Sequence, residues 1–218
     1  MNGESLVVVD RGEDIATVRL DRPEKLNAVN MTLLRELYDS LKNLHNDPEG
    51  GIVISGNGKA TCAGIDLNIV SDPNFEGEYK DDIDTLNKNI HSLLRTYPYP
   101  TVMAAHGATI GIGFILSLYC DFVVLGDDTH FSLPEIKHDV VAHKALQPLK
   151  RMVGIRIAKE IAHTGEPIAP ERAYELGLVN KLVPENKVEE EAHDLLNQTL
   201  KYNPKAVKEL KTELSCDR

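Results

Sequence analysis

The residue best suited to acid–base chemistry is Glu135. It lies in an apolar stretch, Thr129–Ile136, directly after Pro134, which restricts the local backbone. A carboxyl group held among apolar neighbours has a raised pKa and can exchange a proton near neutral pH. An acidic residue that follows a proline is also common in the first turn of a helix, where it stabilises the helix dipole. The residues alone leave both interpretations open.

Two segments share the order strand, small-residue turn and helix start. In one, the predicted strand Ile52–Ser55 leads to Thr61–Leu67; in the other, Thr101–Ala105 leads to Gly107–Gly113. The first residues of a helix present free backbone N–H groups and the positive end of the helix dipole. Two such ends that face each other can bind one oxygen and form an oxyanion hole. Tight turns selected only for packing have the same pattern, so this interpretation also stays open.

Other polar residues carry weaker signals. His138, Asp139 and His143 follow Glu135 closely and offer a metal site or a proton relay. Their spacing matches no established motif, which favours solvated helix residues. Asp66 fits a helix cap or a buried hydrogen bond.

The composition is that of a globular protein. The chain has 218 residues, of which 42% are hydrophobic and 27% are charged. Its formal net charge of −10 argues against nucleic-acid binding, which needs a concentrated basic face. Cys62, Cys120 and Cys216 lack the spacing of a disulfide framework or a zinc site, so a reducing compartment is expected. No apolar run approaches the ~20 residues that cross a bilayer. We therefore expect a cytoplasmic protein without membrane association.

Hydrophobic periodicity places these residues on an α/β scaffold. Alternating strands and helices favour β-β-α or β-α-β units. Ser71–Tyr79 is predicted to be a loop, and the chain after Pro134 to be mostly helical. The predicted elements are a hairpin of Leu6–Val9 and Ile15–Leu20, helices from Asn30 to Asp47 and from Asp81 to Arg95, and strands Ile52–Ser55, Thr101–Ala105 and Phe122–Leu125.

Several short segments, in this order and at this spacing, resemble the crotonase superfamily, the enoyl-CoA hydratase/isomerase superfamily. The resemblance extends from about Val7 to about Pro184. The segments that carry it are Ile15–Ala28, Cys62–Leu67, His106–Gly113, Cys120–Asp121, Phe131–Glu135, Thr164–Ile168 and Ala173–Asn180.

The resemblance implies a fold, a substrate and a site. The fold is a spiral of β-β-α units over residues 1–185, followed by a short C-terminal helical segment, 186–218, that is shorter than the family's. The substrate is an acyl-CoA thioester, with coenzyme A as part of the substrate and with no metal or redox cofactor. The N–H groups of Ile65 and Ile112 form the oxyanion hole, and Glu135 is the catalytic residue. The implied substrate-binding residues are Lys25, Ala28, Ala63, Gly64, Asp66 and Gly111.

Departures from the family pattern bear on the reaction. The family's hydratases use two glutamates, and the position of the first is here Ile115, which cannot transfer a proton. One carboxylate suffices to move a proton between C2 and C4, so the resemblance favours a Δ3,Δ2-enoyl-CoA isomerase. Ile112 replaces the middle glycine of the usual Gly-Gly-Gly. The segment Asp139–Ala145 replaces a glycine-rich one and implies an unusual wall of the acyl pocket.

Alternatives to the isomerase stay open. A hydratase or an acyl-CoA hydrolase would use Asp139 or His143 in place of the missing glutamate. A member without activity would bind only acyl-CoA or a protein partner. The resemblance also implies a homo-oligomer, a trimer or a dimer of trimers, held by core surfaces. Leu195, Leu196 and Leu200 offer an apolar face in the C-terminal segment.

Overall fold

The computed structural model describes residues 5–48, 50–70 and 78–215. No helix in these ranges is long and apolar enough to cross a membrane. The strands are β1 (Val7–Arg11), β2 (Ile15–Leu20), β3 (Gly51–Gly56), β4 (Ala60–Cys62), β5 (Thr101–Ala105), β6 (Ala108–Ile110), β7 (Phe122–Gly126), β8 (His130–Ser132) and β9 (Lys181–Val183). The helices are α1 (Met31–Asn46), α2 (Leu67–Val70), α3 (Glu78–Thr96), α4 (Ile112–Ser117), α5 (His143–Thr164), α6 (Pro170–Glu175), α7 (Val188–Leu200) and α8 (Pro204–Ser215). Short 3-10 turns cover Pro23–Lys25, Glu135–His138 and Glu185–Lys187.

Three successive strand pairs build a spiral. The pairs β3/β4, β5/β6 and β7/β8 each contribute one strand to a six-stranded sheet, in the order β1-β2-β3-β5-β7-β9, and one to a three-stranded sheet, β4-β6-β8. The β1–β2 hairpin is antiparallel and the other pairings are parallel. Helices follow each pair. The predicted α/β spiral of β-β-α units is confirmed.

The central strands are buried on both faces, which explains their continuous apolar sequences. In β3, Ile52 and Ile54 belong to the main core, whereas Val53 belongs to a second cluster on the opposite face. Val188 and Leu196 of α7 cover that second cluster. The first helix of the C-terminal segment therefore packs directly on the sheet, while a domain boundary at residue 185 stays a prediction.

The apolar face predicted for the C-terminal segment packs against the core of the same chain. Leu196 is fully buried, and Leu195 and Leu200 pack against the same cluster. This face is therefore not free to hold a partner subunit. The exposed leucines of the segment are instead Leu210 and Leu214 of α8.

A buried lysine anchors α8. The Nζ of Lys211 donates hydrogen bonds to the carbonyl oxygens of Leu94 and Tyr99, at 3.1 and 2.8 Å, and to Oδ2 of Asp121 at 2.6 Å. Asp121 also accepts from the backbone N–H of Thr101 at 2.7 Å. These bonds join α8 to the end of α3 and the start of β5.

The shortest strands are the elements that the sequence fails to predict. β4, β6, β8 and β9 have three residues each, too few for an alternation of apolar and polar residues to be recognised. The segment Gly107–Gly113, predicted as a turn and a helix start, also contains β6. Helix α3 begins at Glu78, so the predicted loop 71–79 is wrong at its last two residues. Residues 71–77 lie outside the described ranges.

His91 of α3 is a buried histidine without a polar partner. Only 5% of the residue is exposed, and neither ring nitrogen has a hydrogen bond within the described residues. The ring stacks in parallel on Tyr119, with 4.0 Å between the centroids. Burial lowers the pKa of His91 to about 3, and the positive charge of Lys144 contributes a smaller part.

Replacing this imidazole by a phenyl ring is expected to reduce acid sensitivity. An unfolded chain protonates a histidine near pH 6.5, whereas the folded protein keeps His91 neutral to about pH 3, so the free energy of unfolding falls as pH decreases through this window. The loss is ~3 kcal/mol between pH 7 and pH 4. His91→Phe keeps the stack, and urea unfolding at both pH values should show a smaller loss. Exposed His163 provides the control. If His163→Phe and His91→Phe respond equally to acid, this explanation is wrong.

Candidate active site

The two predicted turns meet at one point beside Glu135. A methyl group built on Gly111 would lie 3.1 Å from Oε1 of Glu135 and 3.8 Å from Cα of Gly64. A methyl group built on Gly64 would lie 3.2 Å from the carbonyl oxygen of Ile110. Three segments that the sequence singled out separately are therefore in contact.

Ile65 has a free backbone donor next to this point. Ile65 and Val29 form an isolated parallel β-bridge, whose hydrogen bonds are made by the residues on either side of Ile65. The N–H of Val29 donates to the carbonyl of Gly64 at 2.7 Å, and the N–H of Asp66 donates to the carbonyl of Val29 at 2.9 Å. Within the described residues the N–H of Ile65 donates no hydrogen bond, so it is available to an external acceptor.

Ile112 supplies a second free donor. It is the first residue of α4, after Gly111 as the N-cap, and the first N–H groups of a helix have no partner within the helix. No hydrogen bond from the N–H of Ile112 occurs in the described parts of the chain. The helix dipole adds positive potential at this position. The side chain of Ile112 packs against the main core.

Cys62 lies in contact with both turns. Burial raises the pKa of its thiol to about 11, and the nearby backbone N–H groups of Gly64 and Gly113 offset part of that rise. A methyl group built on Gly113 would lie 2.8 Å from both Cβ and the carbonyl oxygen of Cys62. The start of α4 therefore rests on Cys62, and the cysteine is a packed thiol with no thiolate character at neutral pH.

Glu135 has the environment that its sequence position predicts. It begins the 3-10 turn Glu135–His138, and its residue is partly buried. Oε2 is buried and has no hydrogen-bond partner among the described residues. Burial raises the pKa of Glu135, and a hydrogen bond from its own backbone together with the charge of His138 offsets part of that rise. A raised pKa and an unpartnered carboxylate oxygen suit this group to accept and return a proton.

The predicted substrate-binding segments also lie side by side. The N–H of Ala63 donates to the carbonyl of Leu26 at 3.0 Å, which places the segment Lys25–Ala28 along Ala63–Gly64. Lys25 is exposed, and Ala28 and Ala63 are partly buried. Asp66 is buried and receives hydrogen bonds from the main chain and the side chain of Asn68.

The suggested accessory residues are on the surface. Asp139 ends the 3-10 turn in a left-handed conformation, φ 59°, and His143 begins α5. Both are exposed. No three side chains of His, Cys, Asp or Glu come together as a metal site in the described residues.

Ile115 lies on α4, one turn after Ile112. It is 8% exposed and belongs to the main core. An isoleucine has no proton to transfer, so Glu135 is the titratable group that the described residues bring against Gly111.

Comparison with known proteins gives the same assignment at family level. The family model described as enoyl-CoA hydratase/isomerase matches residues 10–217. The chain belongs to the enoyl-CoA hydratase/isomerase family. It is 32% identical over 215 residues to the 2,3-dehydroadipyl-CoA hydratase of Escherichia coli K12, covering 96% of this chain and 82% of that protein. It is 33% identical over 212 residues to the hydroxycinnamoyl-CoA hydratase-lyase of Pseudomonas fluorescens, covering 91% and 74%.

The fold of this family member agrees with solved structures. An enoyl-CoA hydratase from Bacillus anthracis superposes with a TM-score of 0.90 at 26% identity, covering 97% of this chain and 83% of that one. An enoyl-CoA hydratase from Mycobacterium smegmatis gives a TM-score of 0.89 at 28% identity, with 96% and 82% covered. The predicted crotonase-like architecture is thereby confirmed.

Arg22 and Cys62 are the site residues whose roles the sequence reasoning missed. The sequence places Cys62 in the turn that leads to Gly64 but assigns it no contact with Gly113. Arg22 donates to Asp66, 44 positions later in the chain. A local pattern contains no signal for a contact at that separation.

Proposed function

We propose that this enzyme moves the double bond of 3-enoyl-CoA to the 2-position, with Glu135 as its single acid–base group. The observation that carries the proposal is the partnerless, buried Oε2 of Glu135 beside Gly111, combined with Ile115 at the position where the family's hydratases have a glutamate. The relatives named above are hydratases, so the reaction of this chain is argued from its own residues.

The reaction needs one base and two hydrogen-bond donors. The thioester oxygen accepts from the N–H groups of Ile65 and Ile112, which stabilise negative charge as it develops there. Glu135 takes a proton from C2, and the electron pair of that C–H bond spreads over C2 to C4 and the thioester oxygen. The protonated Glu135 then returns the proton at C4, which leaves a double bond between C2 and C3 and restores the carboxylate.

Coenzyme A is part of the substrate, and no separate cofactor enters this reaction. The thioester lies at Gly64 and Gly111, and the nucleotide extends along Ala63 and Ala28, with exposed Lys25 available to a phosphate. Peptide backbone at small residues allows the close approach that this arrangement requires. A homo-oligomer, a trimer or a dimer of trimers, stays a prediction, as does the absence of a metal.

Hydration of 2-enoyl-CoA is the second candidate, favoured by the names of the relatives. Water addition needs a second proton-transfer group, and Asp139 and His143 are the titratable residues that follow Glu135. Both are exposed, so they have access to water but do not share the partly buried position of Glu135. An acyl-CoA hydrolase would draw on the same two residues.

Product analysis distinguishes these candidates. Incubated with a trans-3-enoyl-CoA, the enzyme is expected to form the 2-enoyl-CoA, detected by the absorbance of the conjugated thioester and by chromatography. With the 2-enoyl-CoA it should form the 3-enoyl isomer and no 3-hydroxyacyl-CoA. Asp139→Asn and His143→Ala should each lower the rate only modestly. Formation of 3-hydroxyacyl-CoA that either substitution abolishes would establish the hydratase instead, and release of free coenzyme A the hydrolase.

A further inference from the structure

Arg22 connects two loops of the site through one guanidinium group. Its Nη1 donates to the carbonyl of Ala28 at 3.0 Å and to Oδ2 of Asp66 at 2.6 Å. The Arg22 and Asp66 side chains are only 15% and 9% exposed. A charge pair this well shielded from water is held more strongly than a surface pair.

Asp66 is held by several hydrogen bonds, and it directly follows Ile65, whose N–H is the proposed oxyanion donor. Its Oδ1 receives the N–H and the side-chain amide of Asn68, at 3.0 and 2.9 Å, and its own N–H donates to Val29. The guanidinium of Arg22 is the main cause that lowers the pKa of Asp66. The peptide that carries the N–H of Ile65 is held at its carbonyl, that of Gly64, which accepts from the N–H of Val29 at 2.7 Å. Asp66, fixed at its main chain and at both carboxylate oxygens, holds the other end of Ile65, so the stretch from Gly64 to Asp66 has little freedom to rotate.

The loop that carries Arg22 is itself rigid. Leu26 and Asn27 have left-handed conformations, φ 50° and 56°, which non-glycine residues keep only where their surroundings hold them. The buried Asn27 side chain accepts from the N–H of Arg22 at 2.7 Å and donates to the carbonyls of Asn57 and Ala60, at 3.0 and 2.7 Å. Through Asn27, the main chain of Arg22 is therefore connected to the turn between β3 and β4.

We infer that Arg22 is a positioning residue that fixes the direction of the Ile65 N–H in the oxyanion hole by holding Asp66. The inference rests on the proposed function, because it assigns Ile65 to the thioester oxygen. Donors stabilise the enolate only when they already point at the oxygen, and a misplacement of about 1 Å costs about 100-fold in rate. The role therefore belongs to turnover more than to substrate affinity.

The test separates positioning from stability. The double variant Arg22→Met/Asp66→Asn removes the contact without leaving a buried charge unpaired. Its kcat for 3-enoyl-CoA should fall about 10- to 100-fold, with KM changed by less than about threefold. Infrared spectra of bound ¹³C=O-labelled butyryl-CoA should show a smaller lowering of the carbonyl frequency than in the parent enzyme. Arg22→Lys keeps one charged donor to Asp66 and should recover part of both effects.

The matched control is Arg172→Met, which removes an exposed ion pair with Glu160 and should change neither kcat nor the carbonyl frequency. A double variant that is less stable but keeps the parent's kcat and carbonyl shift overturns the inference and leaves the proposed function intact. A parent enzyme that binds butyryl-CoA without lowering the carbonyl frequency overturns the proposed oxyanion hole, and the role of Arg22 with it. If the double variant does not fold, Arg22→Lys, which keeps a charge beside Asp66, is measured alone: smaller changes of kcat and carbonyl frequency in the same directions support the inference, and parent values of both overturn it.

Discussion

Glu135→Gln should lower the rate of isomerisation by about 10² to 10⁴, the usual contribution of a general base. Glutamine keeps the shape of the side chain but cannot accept the C2 proton. Affinity for acyl-CoA should change little, because the N–H groups of Ile65 and Ile112 are untouched. The measurement is kcat with 3-enoyl-CoA together with the affinity for butyryl-CoA by calorimetry. Near-full activity of the variant would show that another group is the base.

The same substitution is expected to stabilise the folded protein at neutral pH. Because burial raises the pKa of Glu135, the folded state binds its proton more tightly than the unfolded chain does, and the free energy of unfolding falls as pH rises through the raised pKa. Glu135→Gln removes this penalty, so its thermal midpoint should exceed the parent's at pH 8 and approach it at pH 4. Glu166→Gln is the control, since Glu166 is exposed and paired with Lys137. A variant less stable than the parent at pH 8 would contradict an unpaired, buried carboxylate.

The raised pKa also sets the pH dependence of turnover. Isomerisation requires the carboxylate form of Glu135, so kcat/KM should fall as pH decreases through a pKa above that of an ordinary glutamate. Activity and stability thus oppose each other at this one residue: the environment that makes the carboxylate a competent base destabilises its charged form.

The parts of the fold that the sequence predicts are those whose pattern is local. The strand Ile52–Ser55 is continuous and apolar because both of its faces are covered, and it lies within β3. Helix α1 follows Asn30, whose side chain accepts from the N–H of Leu33 at 2.8 Å, as its capping role requires. Glu135 is recognisable for the same kind of reason, as a lone carboxylate in an apolar stretch.

The remaining parts depend on contacts between distant segments. Nothing near Arg22 in the sequence indicates that its guanidinium reaches Asp66, or that Asn27 is fully buried beneath the turn between β3 and β4. The three-stranded sheet is hidden for a related reason, because strands as short as β4 and β6 form only when their neighbours are in place. The oxyanion hole could be proposed from two glycine-containing turns. Their contact with Glu135 could not, because it depends on how the successive strand pairs of the spiral stack on one another.

Gly111→Ala tests that approach, because the methyl group that it adds would contact the carboxylate of Glu135. Gly111 has φ 56° and ψ −112°, a combination that glycine tolerates and other residues rarely adopt. The added methyl would lie 3.1 Å from Oε1 of Glu135, so either the carboxylate moves or the start of α4 shifts. Either shift displaces Glu135 or the N–H of Ile112 by a few tenths of an ångström.

We expect kcat for Gly111→Ala to fall about 100-fold and its free energy of unfolding to fall by about 2 kcal/mol. Gly177→Ala is the matched control: Gly177 also has a positive φ, 73°, but nothing lies within 4 Å of the methyl that would be added. It should lose about 1 kcal/mol of stability from backbone strain alone and keep the parent's kcat. Steady-state kinetics and urea unfolding of the two variants separate the effects. If Gly111→Ala is destabilised as expected but turns over like Gly177→Ala, then the carboxylate of Glu135 is not held against this turn during the reaction.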